Sequence, residues 1–406
     1  MNKVVHKIYL QFDITRISYR YQVNIKLHEK IALPLTLYST LFTIGVYALY
    51  LQLYAYYILG LSNLLIGFFA TIYFSVNAPS SILGGYLFDK YRRGKLLLVT
   101  ALSILTISNF LTPLYPSGYY LLFIRGLQGF STAIIVPLVN LLASRIMGIG
   151  RGIGIVNTFG SIGFMSGGLI GGIIADLFSY ETLFYIGGFI TLTSLIILPF
   201  SRLEIGEEIP GSRIRLSHVK YIRESIWIIY LAYFIRITAS GGIWSLFSLF
   251  LFTIGGTNIL VGVAHSINTL TQALVFNKIS RYSEGRGVNV FKGGLILSAI
   301  VFTVYLFSNN IYEVLPAQVI LGFAWVMLYA GANVYILENT PSNIQGTALG
   351  LLNMFSSLAW IIGSAINGFI SDLYGSYKPY ILLGVILTII GYLIVEVYFR
   401  RIHPKE

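Results

Sequence analysis

Residues 154–177 read GIVNTFGSIGFMSGGLIGGIIADL, and residues 350–373 read GLLNMFSSLAWIIGSAINGFISDL, the same stretch again 196 positions on and without a gap. The identical pairs are Gly154 and Gly350, Asn157 and Asn353, Phe159 and Phe355, Ser161 and Ser357, Gly167 and Gly363, Ile170 and Ile366, Gly172 and Gly368, Ile174 and Ile370, Asp176 and Asp372, and Leu177 and Leu373. Two unrelated apolar stretches would share a few of these pairs, not all of them. Each copy is long enough to cross a bilayer core, which takes about 20 apolar residues in a helix because in lipid every backbone N–H and C=O has to be paired within the segment. Similar runs surround both copies: residues 31–59, 61–88, 95–115, 118–147, 152–178 and 182–200, then 226–255, 258–278, 289–309, 312–338, 346–374 and 378–399. The polar stretch SRLEIGEEIPGSRIRLSHVKYIRES, 201–225, divides them six and six. The copies are then the fifth and eleventh spans of an all-α integral membrane protein with twelve transmembrane helices. Two pseudo-symmetric six-helix bundles, 31–200 and 226–399, follow, related by an axis along the membrane normal. Residues 1–30 form an N-terminal segment, 201–225 a central loop and 400–406 a tail. Two similar bundles can rock about a site between them near the midplane, opening it to one side and then the other.

Composition agrees with this reading. The chain of 406 residues is 56% hydrophobic and 10% charged, whereas soluble domains carry roughly 25% charged residues. Aromatics reach 15%, with 30 Tyr, as interfacial belts require. Cysteine is absent, which removes disulfides and thiolate metal sites. The amino-terminal stretch MNKVVHKIYLQFDITRISYRYQ is charged and has no short apolar run with a cleavage site, so no cleaved signal peptide is expected. Of the 27 Lys and Arg, all but Arg125, Arg236 and Lys378 fall in segments on one side if the amino terminus is inside. The positive-inside rule then makes both termini cytoplasmic, in a multi-pass protein of the cell membrane. The net charge of +12 is accounted for by topology and by attraction to anionic lipid, and nucleic acid is not an expected partner.

Between the second and third spans lies GYLFDKYRRGKLLL, residues 85–98. This loop resembles that of the major facilitator superfamily, which carries a Gly, three residues, then Asp, a basic residue and a Gly/Arg-rich turn. Gly85 and Asp89 match, Lys90 fills the basic position, and Arg93 and Lys95 supply the trailing charges; Arg92 stands where the family usually has Gly, and one residue is inserted. The resemblance implies a cytoplasmic gate at Gly85, Asp89, Lys90 and Arg93, against the plainer reading of a topology signal. The corresponding loop of the second half, NKISRYSEGRG at 277–287, is a decayed copy with Arg281 at the acidic position. The fourth span, beginning LLFIRGLQGFSTAIIVP, is similar to the family's Arg, Gln and Gly pattern at Arg125, Gln128 and Gly129. In the fifth span the spacing of Gly154, Gly163, Gly167, Gly168, Gly171 and Gly172 resembles a motif of exporters that exchange substrate for protons, with Gly168 in place of the family's Pro. Small residues every fourth position also let helices pack closely, whatever is transported.

An unpaired Arg near the centre of a membrane helix costs about 2.5–3.5 kcal/mol on insertion scales, so it marks a cavity, a partner or a function. Arg125, about a third of the way in from the outer face, and Arg236, close to the midplane, are such residues, and His265 of the eighth span is a third ionisable group. Snorkelling to the interface is the alternative for Arg125, and pairing with helix carbonyls or a polar neighbour is the alternative for Arg236. No Asp or Glu lies at comparable depth: Asp176, Glu313 and Asp372 belong near the outer ends and Glu338 and Glu396 near the inner ends. Asn157 and Asn353, with Gln52, Asn77, Asn140, Gln272 and Asn333, either line the route or hydrogen-bond between helices.

No HExxH, P-loop or dinucleotide fingerprint occurs, so neither an enzyme, a metal site nor a cofactor is expected. The reading is a secondary active transporter that moves a small organic solute by alternating access, with export favoured and with a coupling proton or counter-substrate as a further partner. Substrate binding or coupling falls to Arg125, Gln128, Arg236, His265, Asn157 and Asn353. Two alternatives stay open: a carrier for uptake or exchange of an organic anion, and a membrane sensor that binds solute without transporting it.

Overall fold

Apolar runs of this length have one way to satisfy their backbone in lipid, and the chain takes it. A computed structural model describes residues 27–91, 93–147, 149–201, 224–340 and 345–402, which are helical almost throughout and contain no strand. The helices are α1 (Leu27–Leu53), α2 (Asn63–Tyr91), α3 (Gly94–Leu111), α4 (Gly118–Met147), α5 (Ile149–Leu177) and α6 (Tyr180–Ile197), then α7 (Glu224–Ser245), α8 (Asn258–Tyr282), α9 (Gly287–Phe307), α10 (Ile311–Glu338), α11 (Gln345–Tyr374) and α12 (Lys378–Ile402). All twelve are long and apolar enough to cross a membrane.

Turn chemistry ends them. Gly60, Gly255 and Gly375 take positive φ at the turns after α1, before α8 and after α11, where a side chain would be strained. Ser179, Thr257 and Asn310 cap α6, α8 and α10 by accepting from the amides of Thr182, Leu260 and Tyr312. Two segments depart from the sequence reading. The end of the first span winds as a π-helix, Tyr54–Ile58. The seventh run is not one helix: Leu246 leaves the helical region, and a short helix, Phe247–Thr253, follows the break.

The packing repeats between the halves. α1 lies on α5 as α7 lies on α11, α3 on α4 as α9 on α10, α1 on α6 as α7 on α12, and α2 on α4 as α8 on α10. Across the halves α2 meets α11 and α8 meets α5, again an equivalent pair. Glycine makes the close crossings possible. A Cβ at Gly167 would overlap the Phe42 carbonyl, and one at Gly363, its partner in the repeat, would overlap the Thr238 carbonyl. Gly163, Gly167 and Gly171 face α1, while Gly168 and Gly172 face α8, so the glycine stripe serves one contact within its half and one across. At one end of the molecule Glu396 of α12 pairs with Lys292 of α9 at 2.8 Å and with Arg400.

Candidate functional site

A cavity of about 490 Å³ lies between the halves. Its walls come from α1, α2, α4 and α5 on one side and α7, α8, α10 and α11 on the other, leaving α3, α6, α9 and α12 outside. Arg125, Arg236 and His265 all line it. A groove of about 400 Å³ between α9 and α12 is lined almost wholly by apolar side chains and holds no charged group to orient a solute.

Arg125 is held from behind. Its Nη1 donates to Gln128 Oε1 at 2.8 Å, Gln128 Nε2 donates to Asn109 Oδ1 at 3.2 Å, and the guanidinium lies 4.5 Å from the Tyr73 ring centroid. It points into the cavity rather than snorkelling. Gln128 is buried behind it and does not line the cavity, so it positions the arginine instead of meeting solute. Arg236 is 2% exposed: Nε and Nη2 share Ser298 Oγ at 3.3 and 3.2 Å, and Nη1 donates to Ser240 Oγ at 3.1 Å. Both sequence readings of this residue therefore meet, a cavity wall and a polar neighbour. His265 is 4% exposed, packed edge-on to Trp244 at 4.6 Å, and its Nε2 has no hydrogen-bond partner.

Asn157 and Asn353 do not reach the cavity. Asn157 Nδ2 donates to Asn140 Oδ1 at 2.7 Å; Asn157 lies exposed about one turn from Ser161 of the cavity wall on α5, and Asn353 exposed about two turns from Trp360 on α11. Gln52 and Gln272 line the cavity, whereas Asn77 donates to the Gly129 carbonyl and joins α2 to α4. The surroundings of Gly85 and Gly154 and the side chains of Asp89 and Lys90 lie outside what is described; Arg93 is exposed just before α3. Sequence reasoning missed three tryptophans on the wall, Trp244, Trp325 and Trp360.

It also missed how the cavity ends. Asp372, at the end of α11, accepts from the Asn63 and Leu64 amides at the start of α2, both at 2.8 Å, and from Asn63 Nδ2 at 2.9 Å. Asp176, its partner in the repeat, accepts from Asn258 Nδ2 at 2.6 Å and the Ile259 amide at 3.3 Å at the start of α8. Tyr377 then donates to Asn63 Oδ1, and Tyr180 to Asn258 Oδ1, each at 2.9 Å. Each half thus presents a carboxylate to the positive N-terminal end of a helix in the other, where its charge is favoured. Burial, with Tyr56, Tyr57 and Asp372 nearby, pushes the Tyr377 hydroxyl well above its ordinary value, so it remains a donor across physiological pH. Deeper in, Thr71 and Ser364 hydroxyls meet at 2.9 Å and Phe74 stacks on Trp360. Toward the opposite end residues 157–159 of α5 and Asn353 and Met354 of α11 are exposed.

The family model of the Major Facilitator Superfamily matches residues 35–364, and a second match covers 229–406. The chain belongs to the Major Facilitator Superfamily. As a member of that superfamily it is a membrane transporter and not an enzyme. Multidrug resistance protein 1 of Bacillus subtilis is 25% identical over 348 residues, 82% of this chain and 88% of that protein. The multi-drug resistance efflux pump PmrA of Streptococcus pneumoniae is 24% identical over 345 residues, 79% of this chain and 84% of that protein. Among solved structures, a mutant of the nucleoside transporter NupG superposes with a TM-score of 0.81 at 13% identity, covering 91% of this chain and 99% of that one, a likeness of fold. This major facilitator therefore keeps the twelve-helix architecture and places two arginines and a histidine in the cavity between its halves.

Proposed function

We propose that the protein is a secondary active transporter that carries a small organic solute through this cavity by alternating access. The observation that carries the reading is the cavity between two equivalent halves, joined at one end by two equivalent Asp–Asn–Tyr clasps, while toward the other end residues 157–159, Asn353 and Met354 are exposed. Rocking the halves would break the clasps and bring the opposite ends together, so the cavity would change sides. The Lys and Arg distribution supports cytoplasmic termini in the cell membrane, which makes the clasped end external and this state inward-open. Curated relatives bearing multidrug resistance and efflux names support export. A coupling proton has His265 as its candidate carrier, since no carboxylate among the described residues lines the cavity; a counter-substrate is the other route.

Purified protein in sealed vesicles tests this. Saturable flux of a solute, lost when the halves are cross-linked across the clasped end, is the expected result. Saturable binding with no flux of any bound solute would make the protein a sensor and end the transport reading. The dependence of flux on an imposed pH gradient then decides between proton and counter-substrate.

A further inference from the structure

Among the described residues the cavity contains two fixed positive charges and no negative one. Arg125 and Arg236 line it, and the described Asp and Glu lie at the helix ends, among them Asp176, Asp372 and Glu313 at the clasped end and Glu338 and Glu396 at the other. A buried guanidinium is normally matched by a carboxylate, because unpaired charge in a low-dielectric interior is costly. Here the partners are neutral: one oxygen of Gln128 for Arg125, and the hydroxyls of Ser240 and Ser298 for Arg236. Each guanidinium has five N–H donors in a planar fork, so most of the donors of Arg125 have no acceptor, and its Nε has none at all. The Asn109–Gln128 relay anchors Nη1 of Arg125, whose side chain lines the cavity. The described lining of the cavity is therefore net positive, which suits an anion.

The rest of the wall is flat and aromatic. Three of the chain's four tryptophans, Trp244, Trp325 and Trp360, stand around the cavity. Each is held by another ring: Trp244 edge-on to His265, Trp325 stacked on Tyr329 at 5.1 Å and 6°, Trp360 stacked on Phe74 at 5.0 Å. Aromatic walls fixed in advance favour a flat ring between them, and about 490 Å³ lies in the range of pockets that hold drug-sized ligands. Aromatic faces alone would also suit a cation, but two arginines with no compensating acid repel one.

We infer that the carried solute is an aromatic organic anion, its carboxylate-type group taken by Arg125 and Arg236 and its ring by the tryptophan wall. The inference rests on the transport reading only for the word carried; binding can be tested alone. The probes are 2-naphthoate, 2-naphthylmethanol, 2-naphthylmethylammonium and cyclohexanecarboxylate, added to the full-length detergent-purified protein while tryptophan fluorescence and melting temperature are followed. Naphthoate should bind saturably, about tenfold or more tighter than the alcohol and the cyclic aliphatic acid, and the ammonium more weakly still. Arg236→Gln and Arg125→Gln should each raise the naphthoate Kd about tenfold, and Arg236→Lys less, because it keeps the charge and loses the fork. The inference is overturned if naphthoate does not bind at millimolar concentration, if the alcohol or the ammonium binds as tightly, or if both Gln variants bind naphthoate like the parent. Equal binding of the aliphatic acid would overturn the aromatic half. Should a Gln variant fail to fold, the four probes on the unaltered protein decide alone. In vesicles the two readings separate: naphthoate bound without flux sustains the anion class and refutes transport, whereas flux of the ammonium without naphthoate binding does the reverse.

Discussion

Removing the clasp carboxylates should open the clasped end without disturbing the cavity. Asp372 accepts three hydrogen bonds and Asp176 two, each at the start of a helix in the opposite half. Buried hydrogen bonds to a charged group are worth about 1.5–3 kcal/mol, but both carboxylates sit on exposed helix ends, where ion and dipole terms fall to about 1 kcal/mol in all. On that figure each Asp→Ala substitution shifts the closed-to-open balance about fivefold, and the pair, which share no partner, about 30-fold. Asp372→Ala should have the larger effect, having more bonds to lose. The readout is Ser364→Cys: residue 364 is fully buried beneath the clasp, and the chain has no cysteine to give a background. Labelling of that thiol by a membrane-impermeant maleimide should accelerate by those factors, provided the halves open and close faster than the reagent reacts. A double alanine variant that melts like its parent and labels at the parent rate would refute the argument, because it would show that the clasps hold nothing closed.

Three other outcomes are expected. Gly167→Ala places a methyl onto the Phe42 carbonyl and should cost about 1–3 kcal/mol or prevent folding, whereas Gly350→Ala, with open space around it, should be neutral or stabilising by up to about 1 kcal/mol; thermal melting of the two compares them directly. Glu396→Gln removes the charge that pairs Lys292 and Arg400 and should lower stability by up to about 1 kcal/mol, the loss shrinking at high salt, as melts in low and high salt would reveal. Asp89→Asn, in the loop resembling the family's gate, should slow vesicle flux while leaving naphthoate Kd within about twofold; parental turnover would leave that loop a topology signal alone.

The architecture was legible because the bilayer permits so few solutions: length, hydropathy and a gapless repeat give the helices and their pairing. Arg125, Arg236 and His265 stood out for the same reason, since a charge in an apolar run is expensive enough to need an explanation. The clasps were not legible. Asp176 and Asp372 were visible as a repeated pair, but their partners Asn258 and Asn63 lie far away in sequence and meet them only once the halves are docked. Asn157 and Asn353 lie off the cavity wall, and Asn157 takes the other course left open for it, a hydrogen bond to Asn140 of the neighbouring helix. Identity across the repeat marks equivalent helices, and a helix turning about 100° per residue presents most of its positions to neighbours other than the cavity. The tryptophans were missed because an aromatic residue in an apolar span ordinarily packs against helices or lipid.

At the clasped end the halves also approach each other closely through main chain. Gly172 and Gly368 lie against the Asn258 and Asn63 carbonyls, Gly67 against that of Ser364, and Gly262 against that of Gly168. The groups proposed to meet the solute, Arg125, Arg236, Trp244 and Trp325, sit on other helices, α4, α7 and α10. Hinge and recognition surface can therefore change independently. A substitution at Trp325, which stacks on Tyr329 of its own helix, leaves the seam that opens and shuts untouched, so an ancestral mechanism can be inherited whole while the cavity wall drifts one side chain at a time.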